Sequence, residues 1–296
     1  MKTDTTQTLY DLIRTYMQAL GTSRTTIVAL KSYMDAILRL KCEPGDFMGM
    51  LGRLNTVIKN TEPKVIPLVH LIESFEEEMT AAIDFGLEAA RKRAVEILER
   101  QKKRFEEATR IVTDHCMNCI ADGDLIIVHS PTATIRDALV SARNERQRSF
   151  EVLVLKQDFI RARELIDALA QHEVPHVLIP EYNLSHYLGQ AGKLFIGAVS
   201  VTPDSQVVAG IGTANVVSLC HWYHVPVYLF VESIKFAHKA LAEQHIYNEE
   251  KAQTEADFTF RMKTFSHDFI DLQMIDHLVT ETGEMTPPEG LADAGS

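Results

Sequence analysis

The sequence predicts an α/β protein, an N-terminal helical domain followed by a doubly wound parallel sheet. Three observations predict it. The first ~120 residues place apolar side chains at spacings of three and four, with no strand-like alternation. After Gly123, short apolar runs rich in β-branched residues alternate with helical stretches. Those runs are apolar along their whole length, as parallel strands covered on both faces are. The expected division is 1–120 for the helical domain with a long connecting helix, 121–286 for a Rossmann-like α/β domain, and 287–296 for a disordered tail.

Taken in order, helices are expected near 5–20, 24–40, 44–60 and 64–79. Leu9, Leu12, Ile13, Tyr16 and Leu20 form the apolar stripe of the first. Thr22 or Ser23 suits the cap of the second, and Glu62-Pro63 suits the start of the fourth. Residues 81–120 form one long helical pattern whose charged part, Glu88 to Arg110, reads as a solvated face. Strands are then expected at 124–129, 151–156, 176–180, 193–199 and 226–231. Helices near 134–147, 158–172, 182–190 and 213–223 lie between them. The stretch from Ile275 to Pro287 reads as a last helix closed by Gly283.

Ligands in such folds bind beyond the carboxyl ends of the strands, so the residues just after each strand matter most. The first strand runs into His129-Ser130-Pro131-Thr132-Ala133-Thr134. Hydroxyls before a helix suit an oxyanion, because the helix offers free N–H groups and a positive dipole end. Simple capping by Thr132 or Thr134 explains the same residues. Later comes Gly210-Ile211-Gly212-Thr213-Ala214-Asn215, whose glycines let backbone N–H groups approach a ligand. As a dinucleotide fingerprint it is imperfect, lacking the third glycine and sitting late in the fold, so no nicotinamide cofactor is expected. The fifth strand ends in Val231-Glu232-Ser233-Ile234-Lys235-Phe236.

The formal net charge of -11 opposes direct, non-specific nucleic-acid binding. No apolar N-terminal segment and no run of membrane-spanning length stand out, and the four cysteines read as reduced thiols. A cytoplasmic protein is expected. Cys116-Met117-Asn118-Cys119 has the spacing of redox and zinc motifs, but without a second pair it reads as core cysteines. The histidines are scattered, and no metal site is expected. There is no Gly-x-Ser-x-Gly elbow and no Walker A loop.

The order of segments resembles the alpha, beta and delta subunits of translation initiation factor 2B. These share a superfamily with methylthioribose-1-phosphate and ribose-1,5-bisphosphate isomerases. The resemblance rests on Thr61–Val65, Asp122–Ser130, Phe195-Ile196-Gly197-Ala198, Gly210–Thr213, Pro226-Val227-Tyr228 and Glu284-Met285-Thr286-Pro287. It implies a homo-oligomer, at least a dimer through the C-terminal domain, and a pocket between His129-Ser130 and Gly210–Thr213. The chain departs from the isomerase pattern in four places. Ser130 stands where the isomerases have a catalytic cysteine, and Val199 stands at their catalytic aspartate. Lys156-Gln157-Asp158-Phe159 replaces Glu-Ser-Arg-Pro, and Ala209-Gly210-Ile211-Gly212-Thr213 replaces Asn-Lys-Ile-Gly-Thr. Valine cannot transfer a proton, and aspartate repels the phosphate that arginine would hold.

The expectation is a regulatory or binding protein without isomerase activity. It would bind a sugar phosphate or nucleotide through His129, Ser130, Thr132, Gly210, Gly212 and Thr213, with no cofactor. One alternative is a diverged aldose–ketose isomerase using His129, Ser130 and Glu232. Another is a subunit acting through partner proteins alone, with a closed pocket.

Overall fold

The computed structural model describes residues 2–61, 64–80, 86–156, 159–238, 248–255 and 258–285. The chain divides into two compact units, Met1–Ile111 and Val112–Ser296.

In the first unit, α1 (Lys2–Arg39) merges the first two expected helices, broken where Gly21 takes φ 73° and ψ 173°. A 3-10 turn at Pro44–Asp46 leads into α2 (Phe47–Lys59), then α3 (Ile66–Thr80) and α4 (Leu87–Asn118), whose residues from Val112 onward belong to the second unit. The expected start at Glu62-Pro63 lies outside the described residues. Leu30, Ile37, Phe47, Leu51, Ile72 and Phe75 are buried. Tyr33 meets Phe75 edge-on at 5.9 Å, and its hydroxyl donates to the Asn55 side chain. The charges of α4 pair along the helix, as in Lys92–Glu96 and Arg110–Glu107, the pattern of a largely solvated face. Lys102 is the exception, buried beside Glu99 and Glu106.

The second unit holds β1 (Leu125–His129), α5 (Ala133–Asn144), β2 (Glu151–Lys156), α6 (Phe159–Gln171) and β3 (His176–Pro180). These are followed by β4 (Lys193–Gly197), β5 (Ser200–Val201), β6 (Gln206–Gly210), α7 (Thr213–Trp222) and β7 (Val227–Phe230). The hairpin β8 (Asn248–Glu255) and β9 (Phe258–Phe265) precedes β10 (His267–Asp271), β11 (His277–Thr280) and β12 (Gly283–Met285).

The main sheet has seven strands in the order β12-β11-β7-β4-β1-β2-β3, parallel except at β12. Alternate residues feed two cores. Ile127, Leu153, Leu194, Ile196, Leu229 and Leu278 pack with Val216, Val217 and Cys220 of α7. Ile126, Val128, Val154, Phe195, Phe230 and Val279 pack with residues of α5, α6 and the end of α4. The sheet is therefore covered on both faces, as its apolar strands require. From β1 the chain runs outward through β2 and β3, then returns to place β4 on the other side of β1. The crevice between β1 and β4 is the topological switch point.

Three sequence expectations are corrected. The expected last helix near Ile275–Gly283 is instead a 3-10 turn at Leu272–Met274 and the hairpin β11–β12. Leu278 and Val279 face opposite cores, which only a strand allows, and Gly283 at φ 126° makes the turn instead of capping a helix. The segment expected as a helix near 182–190 is a 3-10 stretch, Glu181–His186. The fourth strand stops at Gly197, because the Val199 N–H bonds to the Val208 carbonyl at 2.8 Å. The chain thereby peels into a second, antiparallel sheet of order β10-β6-β5.

Candidate functional site at the carboxyl ends of the strands

His129 closes β1, and its side chain is 0% exposed. Its Nδ1 lies 2.9 Å from Thr213 Oγ1, and its Nε2 lies 2.9 Å from Glu181 Oε1. Ser130 takes the left-handed conformation at φ 49°, uncommon for a residue with a side chain. Two local contacts hold it there. Its carbonyl accepts from Gly197 N at 3.3 Å, and its Oγ accepts from Gly210 N at 3.2 Å. Thr132 caps α5, its hydroxyl accepting from Ile135 N at 3.3 Å. Its methyl fills the crevice against Gly197, where an added Cβ would lie 2.1 Å from Thr132 Cγ2.

Across the crevice, Gly212 precedes α7 at φ 90°, a conformation that favours glycine. The Glu181 carboxylate lies over it, 2.6 Å from where a Cβ would sit. The Thr213 hydroxyl donates to the Gly210 carbonyl at 2.5 Å. At the amino end of α7, Ala214 N donates to Asp268 Oδ2 at 3.0 Å, so a carboxylate from β10 serves a free N–H of the helix.

The residues expected at the site thus converge. His129 meets Thr213, Ser130 meets Gly210, Thr132 lies against Gly197, and Glu181 links His129 to Gly212. Glu232 is committed elsewhere. Its side chain is 1% exposed and pairs at 2.8 Å with Lys235, whose Nζ also donates to the Ala198 carbonyl at 3.3 Å. Gln157 and Asp158 lie outside the described residues. Glu181, Asp268 and Lys235 were not anticipated. Glu181 carried a signal, since it directly follows β3. Asp268 carried none, because it arrives through the pairing of β10 with β6, opposite Ala209.

The opposite end of the sheet differs. Along the β11–β12 edge, a cavity of about 250 Å³ is lined by His115, Asn118, Cys119, Val279, Gly283 and Glu284, and the amino end itself carries its own polar pairs. Lys193 pairs with Asp124 at 2.8 Å, and the His277 ring stacks on Tyr228 at 4.0 Å while bonding Glu284. Burial, with a contribution from Glu284, pushes the Cys119 thiol up to about 11. Burial raises Cys116 well above the usual thiol range. Both are protonated at neutral pH, unlike metal-binding or redox thiolates. Among the described residues no three His, Cys, Asp or Glu side chains converge to hold a metal ion. No described helix is long and apolar enough to cross a membrane.

Residues 18–287 match the model of the initiation factor 2 subunit family, IF-2B. The chain belongs to this family. Among IF-2B relatives, it is 22% identical over 261 residues to translation initiation factor eIF2B subunit delta of Dictyostelium discoideum. That match takes in 82% of this chain but only 42% of the delta subunit. It is 27% identical to a putative translation initiation factor eIF-2B subunit 2-like protein of Pyrococcus abyssi, covering 69% of this chain and 71% of the relative. The fold matches the crystal structure of Pyrococcus horikoshii translation initiation factor eIF-2B with a TM-score of 0.78 at 20% identity, covering 95% and 98% of the two chains. It also matches 5-methylthioribose 1-phosphate isomerase of Pyrococcus horikoshii, with a TM-score of 0.71 at 12% identity over 94% and 85%. The IF-2B chain thus shares one fold with both initiation-factor subunits and an isomerase.

Proposed function

We propose that this chain is a non-catalytic regulatory subunit of the initiation factor 2B type, acting in the cytoplasm as a homo-oligomer through protein contacts. One observation carries the reading: the strand-end site is satisfied by the chain itself. Its buried imidazole bonds Glu181 and Thr213, the Ser130 hydroxyl accepts from Gly210, and α7 is served by Asp268. A sugar phosphate or nucleotide at Gly210, Gly212 and Thr213 would have to displace these internal carboxylates. At the positions that the resemblance assigns to the isomerases' catalytic cysteine and aspartate stand Ser130, whose Oγ accepts a backbone bond, and Val199, whose side chain carries no proton to transfer.

Apolar surface for protein contact supports the same reading. Edge strand β3 exposes Val177 and Leu178, and α7 ends in the exposed Trp222 beside Tyr223. A related structure, from C. thermophilum, is a tetrameric eIF2B-beta2-delta2 complex.

A second reading, a diverged aldose–ketose isomerase, draws on the buried His129–Glu181 contact, which has the makings of an acid–base pair. One experiment separates the two. Purified protein is incubated with a panel of aldose phosphates and followed by NMR, with its mass in solution measured in parallel. No turnover and a mass of at least a dimer are expected. Turnover that disappears in His129→Ala would replace the regulatory reading with the enzymatic one.

A further inference from the structure

The contacts of His129 carry the inference. Its Nδ1 lies 2.9 Å from Thr213 Oγ1 and its Nε2 lies 2.9 Å from Glu181 Oε1, so both ring nitrogens are engaged within the chain. The side chain of His129 is 0% exposed and that of Glu181 is 29% exposed, so the carboxylate is on the solvent side of the ring. The same carboxylate lies over Gly212, within 2.6–2.9 Å of the place a Cβ would occupy.

We propose that Glu181 is a latch. Held to His129 by the contact between Nε2 and Oε1, its carboxylate occupies the strand-end crevice and keeps an outside anion from reaching the imidazole. The latch is built from a side chain at the start of a 3-10 segment that follows an edge strand. It can therefore swing without unpicking the main sheet. A site competent only when the latch is open binds with its affinity lowered by the open fraction. Removing the latch restores that affinity. The inference goes beyond the proposed function, since it holds whether or not the chain assembles with partners or turns over a substrate.

The test compares wild type, Glu181→Ala and Glu181→Gln. Each is treated with diethyl pyrocarbonate, and modification of His129 is read by peptide mass spectrometry with and without inorganic phosphate. In Glu181→Ala the His129 ring should react at least about tenfold faster, since its competent state no longer waits for opening. Phosphate should then protect it. In Glu181→Gln the amide fills the same space and can bond Nε2 through its oxygen or its nitrogen, so His129 should stay as slow as in wild type. A folded Glu181→Ala protein whose His129 reacts no faster than wild type, or one that phosphate fails to protect, overturns the latch. Should Glu181→Ala fail to fold, Glu181→Ser decides by the same readout: faster, phosphate-protected modification of His129 upholds the latch, and a rate no faster than wild type overturns it.

Discussion

The two ends of the main sheet handle polar groups in opposite ways. At the carboxyl end, His129, Ser130 and Glu232 are buried, and each is bonded within the chain. At the amino end, Lys193 and Asp124 are paired, while His277 and Glu284 stay partly exposed. Polar groups taken out of water must find partners, whereas those left in water have water as an alternative. At the end of the fold that ordinarily receives ligands, these buried polar groups are bonded within the chain.

The comparison breaks most readily at the Glu232–Lys235 pair. Glu232→Gln leaves the ammonium of Lys235 buried without its counter-charge and should cost about 3–5 kcal/mol in urea unfolding. A loss below about 1 kcal/mol, the range of exposed pairs, would mean that this end is wet after all. Next comes Gly197→Ala, whose new methyl would overlap Thr132 Cγ2 and crowd the Ser130 carbonyl at 3.3 Å. Overpacking of this kind costs about 1–3 kcal/mol. Adding Thr132→Ser removes the offending methyl and keeps the capping oxygen, so the double variant should recover most of the loss. Failure to recover would place the strain in the backbone instead. The smallest effect is expected at the amino end. Glu284→Gln should change stability by less than about 1 kcal/mol, because the His277–Glu284 pair is half in water. A larger loss would erase the distinction between the two ends.

The parallel sheet was legible because strands buried on both faces read as unbroken apolar runs. Looking just past the strands singled out His129-Ser130 and Gly210–Thr213 separately, and the family resemblance implied that they meet. Glu181 escaped the same rule because the segment beginning one residue later read as a helix of its own, which drew attention from the strand end. Asp268 was illegible for a deeper reason. Its position depends on the register of β10 against β6, set by residues about 60 apart in sequence. The last helix was misread because Gly283 fits a helix cap and a hairpin turn equally well by composition. Which one forms depends on whether Leu278 and Val279 find a neighbouring strand, and β7 supplies it.

The departure of the chain from β4 after Gly197 bears on how reversible this site is over evolutionary time. Position 199 belongs to the backbone pairing of the second sheet, not to the end of β4. An aspartate restored there would still face a Ser130 held by Gly210, a Thr132 methyl seated on Gly197, and a Glu181 carboxylate over Gly212. These contacts are separate, so removing Glu181 alone exposes the imidazole without supplying a proton-transfer group at position 199. Opening this end of the fold is thereby coupled to its packing, and the stability of the closed arrangement guards the crevice.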